Sequence, residues 1–369
     1  MGSRVTMKAD LFECPATSRT TWYFVRLEAG DGTVGFGECS DAGALEDVEA
    51  LVGDVLGSLA ALLGGEFDAD MIAGAARRAT QPGDLARRTV VGGLEQALCD
   101  IAARRQGLPL CKWLGGDGGQ AVPLYANINR SAAGGRPQQL AETGLRAVAD
   151  GFTAVKCAPF DAPVPGMSTP QAGLARIAAL RTAVGDGVDL MVDCHERVPL
   201  AALEPLLPAI ASFDVSWLEE AVPATDLIGL RTIRDASAMR IAGGEFVAEP
   251  AELEPAVAQR LLDVVMPDVK HAGGVLSAAR LAHAFCAAEI SPHNPCGPIA
   301  TAATGHLFAA LPNASVLEFA YGEVDWRADL VFGNEKVANG QLALAPGPGL
   351  GVELDTTNSR LHHVRTFTL

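Results

Sequence analysis

The chain has 369 residues, of which 49% are hydrophobic and 20% charged, so it carries enough apolar material for a large core and is not a disordered protein. Acidic residues outnumber basic ones by 44 to 28, and the resulting net charge of −16 argues against nucleic acid and anionic membranes as partners. We expect a cytoplasmic protein, because the chain shows neither a signal segment nor an apolar run of about 18 residues.

The first 120 residues predict a small α+β domain. The alternating run Thr21–Leu27 is followed by a glycine-containing turn and a second short strand, Val34–Glu38, which together indicate a β-meander. From about residue 44 to 113 the apolar residues recur with helical spacing, and Leu94, Leu98 and Ile101 share one helix face. We therefore place a domain boundary near residue 120.

Residues 121–321 show a different rhythm, in which eight β-rich runs alternate with amphipathic helical segments. The runs are Leu124–Asn129, Ala154–Ala158, Leu190–His195, Val215–Ala221, Ile241–Phe246, Val264–Val269, Glu289–Asn294 and Val316–Tyr321. Eight such units over about 200 residues close into a barrel. We predict an α/β fold, a (β/α)8-type TIM barrel, with residues 322–369 packing back on the N-terminal domain.

Each run carries a polar side chain at or near its C-terminal end, where the loops of a βα barrel converge and catalysis takes place. In order these residues are Asn127, Lys156, Asp193 with His195, Glu219, Glu245, Asp268, His293 and Glu318. Buried charge is costly unless it is paired or binds a metal ion, so a full ring of polar groups predicts an active site at this mouth.

Three of these residues are acids at equal intervals of 26 residues: Asp193, Glu219 and Glu245. Carboxylates converging on one point repel each other unless a divalent cation lies between them, and hard oxygen ligands favour Mg²⁺ over zinc. Unrelated surface acids are the alternative, which the repeated placement at strand ends disfavours. His195 follows Asp193 by two residues, so on a strand it would lie on the same face; a satisfied core histidine is its alternative.

His293 and Asp268 end neighbouring runs and predict a histidine–aspartate dyad, because a carboxylate on one ring nitrogen orients the imidazole and raises its basicity. An incidental loop histidine is the other interpretation. Lys156 would bind a substrate carboxylate or, with its pKa lowered by a nearby cation, act as a second base. A purely structural lysine remains open there. Lys270 lies past a strand end, and we expect it to be solvated.

Several of these stretches resemble the motifs of one known family. They are Val192-Asp193-Cys194-His195, Trp217-Leu218-Glu219-Glu220, Ala242-Gly243-Gly244-Glu245, Met266-Pro267-Asp268 with His271-Ala272-Gly273-Gly274, Pro292 to Pro298, Val34 to Glu38 and Glu95 to Ile101. Together they resemble the enolase superfamily and, within it, the mandelate racemase subgroup. The resemblance spans nearly the whole chain and implies a capping domain at residues 1–120.

The resemblance implies that a carboxylate substrate binds Mg²⁺ and loses its α-proton to give a metal-stabilised enediolate. By residue match Asp193, Glu219 and Glu245 would be the metal ligands, and His293 with Asp268 the base. Glu318 would donate a hydrogen bond to the enediolate, which requires the carboxyl to be protonated.

Two departures from the family pattern bear on the reaction. Racemases of this subgroup carry Lys-x-Lys on the second barrel strand, whereas Lys156 is followed here by Cys157 and Ala158, so the usual second base is missing. Asp193-x-His195-x-Arg197 instead resembles the galactonate dehydratase branch, in which that histidine protonates the departing hydroxyl. In addition, Ala221 and Val222 separate Glu219 and Glu220 from Pro223, where the family places proline directly after the two acids.

The leading hypothesis is a dehydratase of a sugar acid or a related β-hydroxy carboxylate, with His293 as base and His195 as acid. A racemase or epimerase using Lys156 and His293 is the alternative, and a non-catalytic protein that kept the barrel is a third. We expect specificity from the loops Cys14–Trp22 and Cys39–Leu45, with Asn127, Trp22 and Arg19 contacting the substrate. Ordinary loop packing is the alternative for Trp22 and Arg19. The expected partner is a small carboxylate, and the chain is expected to form a homo-oligomer.

Overall fold

The computed structural model describes residues 8–63, 67–118, 121–132, 135–163, 166–333 and 335–368, together with their side chains except those of residues 60–63. Among these residues, no helix combines the length and apolarity needed to cross a membrane. All eight cysteines are free thiols, and only Cys286 is exposed.

The N-terminal domain combines an antiparallel sheet with helices. Its strands are β1 (Lys8–Pro15), β2 (Thr21–Glu28) and β3 (Val34–Glu38), and its helices are α1 (Leu45–Leu63), α2 (Ala69–Ala79), α3 (Leu85–Arg105) and α4 (Leu110–Trp113). Asp68 and Asp84 begin α2 and α3, where each carboxylate accepts a hydrogen bond from a first-turn N–H, at Met71 and Arg87 respectively.

Eight parallel strands form the barrel: β4 (Val122–Asn127), β5 (Ala154–Cys157), β6 (Asp189–Asp193), β7 (Val215–Glu219), β8 (Arg240–Gly243), β9 (Val264–Val265), β10 (Glu289–Ile290) and β11 (Leu317–Ala320). The ring closes where Ile290 N donates to Asn313 O at 3.1 Å and Ser315 N donates to Ile290 O at 3.0 Å, while β11 pairs with β4. The predicted barrel fold is confirmed.

Helices connect the barrel strands: α5 (Pro137–Ala149), α6 (Thr169–Val184), α7 (Leu200–Leu203), α8 (Leu207–Ala211), α9 (Leu227–Ala236), α10 (Pro250–Ala258), α11 (Val275–Ala284) and α12 (Pro298–Ala310). A 3₁₀ turn, Glu204–Leu206, joins α7 to α8. Beneath the mouth the barrel is filled by large side chains, among them Tyr125 and Trp217, whose rings meet edge to face at 5.7 Å.

After β11 the chain continues through a 3₁₀ helix, Arg327–Leu330, and five short strands. These are β12 (Val331–Phe332), β13 (Lys336–Ala338), β14 (Gln341–Ala343), β15 (Glu353–Leu354) and β16 (His362–Thr368). β14 pairs with the start of β4, and β16 joins the N-terminal sheet beside β1. The last residues of the chain therefore tie the first strand into its sheet.

Two buried carboxylates of the N-terminal domain dock it onto helices of the barrel. Glu38 accepts hydrogen bonds from Gly297 N at 2.7 Å and Ala300 N at 2.9 Å, at the start of α12. Glu95 accepts from the first two residues of α11, Val275 and Leu276, at 2.7 and 2.9 Å. Because the N-terminus of a helix has unpaired N–H groups and partial positive charge, these contacts fix the domain where α11 and α12 begin.

The fit between α3 and the strand β3 depends on glycine. A Cβ placed on Gly93, in the buried middle of α3, would lie 2.9 Å from the Cβ of Cys39 and 3.0 Å from the backbone carbon of Glu38. A Cβ on Gly57, in α1, would meet no atom within 4 Å. The first contact cannot be relieved by rotating a side chain, because its neighbours are backbone and Cβ atoms.

We expect Gly93→Ala to lower the free energy of unfolding by roughly 1–3 kcal/mol, because the added methyl group overpacks the helix–strand contact. Gly57→Ala is the matched control; it should leave stability unchanged or raise it by up to about 1 kcal/mol, since alanine favours the helix. Urea unfolding of the two variants measures both changes. Equal stability of the two variants would contradict this account of the packing.

Candidate active site

A cavity of about 370 Å³ opens at the C-terminal ends of the barrel strands. The barrel contributes Asn127, Asp193, His195, Glu245, His271 and His293 to its wall, and loops of the N-terminal domain contribute Thr17, Arg19, Thr20 and Asp41. A second cavity, of about 580 Å³, lies at the opposite end of the barrel, and Asp117 is the only ionisable residue in its described lining. The ionisable side chains are therefore concentrated in the first of these two cavities.

The three acids spaced along the sequence are brought together in this mouth. Asp193 and Glu219 end β6 and β7 and are register partners, and Glu245 follows β8 by two residues. All three are buried, with exposed fractions of 1%, 0% and 4%. The ammonium of Lys156 lies among the acids: it contacts Glu219 Oε1 and lies 3.6 Å from Asp193 Oδ2 and 2.9 Å from Glu318 Oε1.

The acids differ in how well their charge is compensated. Burial, reinforced by the neighbouring carboxylates and only partly offset by Lys156, raises the pKa of Glu219 to about 8, and burial also raises the pKa of Glu245. Although burial acts in the same direction on Asp193, Lys156 and His195 lower the pKa of that carboxyl to about 2. One ammonium thus contacts three carboxyl groups, and burial disfavours the ionised form of Glu219 and Glu245 unless further positive charge is supplied.

This donor set fits a hard divalent cation. Within the described ranges no three acidic, histidine or cysteine side chains are already arranged as metal ligands, since Lys156 lies between the acids. Yet Glu245 Oε2 is buried without a hydrogen-bond partner, an arrangement that an added cation would relieve. Carboxylate oxygens are the ligands that Mg²⁺ prefers, so Asp193, Glu219 and Glu245 are the residues that would hold it.

His293 and Asp268 form a hydrogen-bonded pair in which Asp268 Oδ2 lies 2.9 Å from His293 Nδ1. The other oxygen of Asp268 accepts from the N–H groups of Lys270 and His271, at 2.6 and 3.1 Å. Against the effect of burial, Glu245, Glu318 and Asp268 raise the pKa of His293 to about 9. Asp268 accepts a hydrogen bond from Nδ1–H, and Nε2, on the other side of the ring, lies 3.4 Å from Glu245 Oε2.

His195 lines the cavity, but it does so from a turn and not from a strand as its spacing predicts. The strand β6 ends at Asp193, and His195 lies beyond it with a positive φ of 44°, so the expectation of a shared strand face is wrong. In this turn the ring is oriented towards Asp193, with Nε2 2.9 Å from Asp193 Oδ2. Nδ1 lies 2.9 Å from the carboxylate of Asp161 in the loop after β5, a partner that no strand-end pattern indicates.

Glu318, predicted to donate a hydrogen bond to the enediolate, is surrounded by hydrogen-bond donors. It accepts hydrogen bonds from Lys156 at 2.9 Å, from Asn127 Nδ2 at 2.5 Å and from Asn294 N at 2.9 Å. Burial alone would raise the pKa of this carboxyl, but Lys156 and His293 lower it. These contacts favour the ionised form of Glu318, whereas its predicted role as a donor to the enediolate requires the protonated form; that role stays a prediction.

Trp22 does not line the cavity, so its predicted place in the pocket wall is corrected. Its indole is fully buried and packs against Trp326 and Phe24, with ring centroids 5.8 and 6.4 Å away. The reason is its position on β2, where an inward-facing aromatic side chain joins the core of the N-terminal domain. Arg19, in the loop before β2, does line the cavity.

Lys270 is buried rather than solvated, which corrects the expectation from its position after the strand. Its ammonium lies 2.8 Å from Asp41 Oδ2 in the N-terminal domain and 3.8 Å from Asp268 Oδ2. The strand β9 ends at Val265, and the following loop folds into the protein instead of running over its surface. The apolar residues Val269 and Ala272, on either side of the pair Lys270-His271, were the sequence signal for this burial.

Comparison with known proteins agrees with this geometry. Residues 139–358 match the family described as enolase C-terminal domain-like, and residues 11–115 match the mandelate racemase/muconate lactonizing enzyme N-terminal domain. The chain belongs to the mandelate racemase/muconate lactonizing enzyme family of the enolase superfamily. A solved structure of this family from Jannaschia sp. CCS1 superposes with a TM-score of 0.83 at 29% identity, over 95% of each chain.

Two relatives of this chain are dehydratases. D-gluconate dehydratase of Thermoproteus tenax is 32% identical over 72% of this chain and 54% of its own length, so the match spans about half of that relative. D-xylonate dehydratase of Haloferax volcanii is 26% identical over 94% of this chain and 87% of its own. Dehydratases are hydro-lyases, so both relatives belong to that reaction class.

We expect Lys156→Met to lower the free energy of unfolding of this family member by roughly 3–5 kcal/mol when divalent cations are chelated, because it leaves buried carboxylates without their counter-charge. Lys112→Met replaces an exposed lysine and serves as control; it should have little effect. Denaturant unfolding in EDTA measures both. A Lys156→Met protein as stable as the control would mean that the lysine does not neutralise the acids.

Proposed function

We propose that the protein is a Mg²⁺-dependent dehydratase of acid sugars or related β-hydroxy carboxylates. The observation that carries the proposal is a pair of histidine–carboxylate couples, His293 with Asp268 and His195 with Asp161, on opposite sides of one acid-lined mouth. Relatives that dehydrate D-gluconate and D-xylonate support the same reaction class.

Asp193, Glu219 and Glu245 would hold the Mg²⁺ ion. When bound, Mg²⁺ supplies positive charge that stabilises the negative charge developing on the substrate carboxylate as the α-proton leaves. Lys156 would have an electrostatic role beside this site; its contacts with three carboxylates, which favour the ammonium form, support that role. Lys156 would then help to hold the substrate carboxylate, with Asn127 and Arg19 contacting the rest of the molecule.

His293 would take the α-proton on Nε2, while Asp268 keeps the Nδ1 proton and the ring orientation fixed. His195 would donate a proton to the β-hydroxyl, which leaves as water as the bond between the α and β carbons becomes double. The product is an enol that tautomerises to a 2-keto acid. Because β6 and β10 lie on opposite sides of the closed barrel, base and acid approach from opposite faces, which favours anti elimination.

The alternative racemase would need Lys156 as a second base against His293. The three ion pairs of Lys156 and the alanine at position 158 count against this alternative, since a lysine base must present an unpaired amine. Deuterium entering the α-position with inversion and without loss of water would favour the racemase.

We expect His195→Asn to abolish formation of the 2-keto acid while α-proton exchange in D₂O continues, because exchange needs only the base and the cation. Loss of a positioned general acid lowers the rate by roughly 10²- to 10⁴-fold. His293→Asn should remove both activities. The measurements are a semicarbazide assay across an acid-sugar library with Mg²⁺ and proton NMR of the same acids in D₂O.

His283→Asn is the control for these variants, because His283 is exposed on α11 and lies outside the cavity. Undiminished dehydration by His195→Asn would refute the role of His195. An inert acid-sugar library, combined with α-proton exchange on another carboxylate, would refute dehydration itself.

We further expect Glu245→Gln to weaken Mg²⁺ binding by at least about 10-fold, because loss of even an indirect partner of a metal site costs that much. Glu254→Gln removes an exposed carboxylate of α10 and is the matched control. Isothermal titration with MgCl₂, after removal of bound ions by EDTA and dialysis, gives both affinities. The assignment of the ligands is wrong if the two variants bind Mg²⁺ equally well.

A further inference from the structure

His271 lines the cavity beside the proposed base, yet the mechanism above gives it no part. It lies in the loop between β9 and α11, and its ring stacks against that of His293 with the centroids 6.2 Å apart and the planes inclined by 28°. The ring of Phe246 lies 5.4 Å from that of His271, with the two planes inclined by 37°. Phe246 and His293 also line the cavity, so the imidazole faces the space that a substrate would fill.

The ring of His271 is held rigidly from the N-terminal domain. Its Nδ1 lies 2.9 Å from Thr89 Oγ1 on α3, and the same hydroxyl donates to Leu85 O at 2.8 Å. The backbone N–H of His271 donates to Asp268 Oδ1 at 3.1 Å. Since Thr89 and His271 are both buried, at 0% and 4% exposure, the ring cannot turn away without breaking these contacts.

The second ring nitrogen, Nε2, has no hydrogen bond to any residue that the structure describes. The nearest carboxylate oxygen, Asp268 Oδ2, lies 3.9 Å away and is already hydrogen-bonded to His293. Burial lowers the pKa of His271 to about 4, so the imidazole is neutral near neutral pH. A neutral polar nitrogen at the cavity wall without a protein partner is a position for a ligand or a water molecule.

We infer that His271 is a specificity-determining residue whose Nε2 hydrogen-bonds a hydroxyl group of the substrate beyond the two reacting carbons. The inference rests on the proposed function and adds the polyol part of the substrate to it. A hydroxyl complements Nε2 whichever ring nitrogen bears the proton, because it both donates and accepts. The leaving hydroxyl is a different one: it faces His195 across the barrel, whereas His271 lies on the side of the base.

The test uses the Mg²⁺-loaded enzyme and the aldonate that it dehydrates fastest in the library, together with the monodeoxy analogues of that aldonate at each carbon beyond C3. Wild type should discriminate against one analogue by about 10-fold or more in kcat/KM, as expected for a lost hydrogen bond that leaves a buried partner unsatisfied. His271→Leu should remove this discrimination and turn over the analogue as wild type does. His271→Gln, which can still hydrogen-bond, should restore part of it.

His283→Leu is the control and should discriminate as wild type does. A His271→Leu enzyme that keeps the discrimination overturns the inference, as does one that loses the same factor on every substrate, since a uniform loss indicates a structural role. If wild type dehydrates no aldonate, this inference is overturned, and the proposed function fails with it when the other acid sugars are also inert and α-proton exchange proceeds on another carboxylate. If wild type dehydrates an aldonate but favours it equally over all analogues, only the inference fails.

Discussion

The mouth of the barrel gathers Asp193, Glu219, Glu245 and Glu318 where water is largely excluded, and this buried negative charge is the constraint on which the rest of the site depends. Carboxylates at such short distances cannot all remain ionised unless positive charge compensates them, because desolvation and mutual repulsion both oppose ionisation. Lys156 supplies one positive charge from β5. A divalent cation would supply further positive charge to these acids. Against the effect of burial, Glu245, Glu318 and Asp268 also raise the pKa of His293.

A second set of buried charges holds the two domains together and so shapes the cavity. Glu38 and Glu95 bind the first turns of α12 and α11, and Asp41 pairs with the buried Lys270. Both helices begin directly after the loops that carry His293 and His271. The N-terminal domain therefore acts as a support for the catalytic loops, in addition to closing the cavity over them. A shift of that domain would therefore move His293 and His271, as well as the domain's own loops over the cavity.

The two histidines of the proposed reaction show how differently sequence and structure report on a site. The pairing of His293 with Asp268 was predicted because the two residues end neighbouring strands, and the structure places them within hydrogen-bond distance. His195 was assigned from strand alternation, but the chain leaves the strand after Asp193 and a left-handed turn brings the ring back. Its partner Asp161 comes from another loop, and sequence spacing contains no information about such a pairing.

The sequence by itself determined the barrel and the ring of polar groups at its mouth, because periodic apolar runs fix which residues begin and end each strand. Only the tertiary structure decided the state and surroundings of those groups. It buried Lys270 against Asp41, placed Lys156 2.9 Å from Glu318, and placed Trp22 in the core. The physical reason is that the charge state and exposure of a side chain depend on neighbours distant in sequence, whose approach the local pattern does not encode.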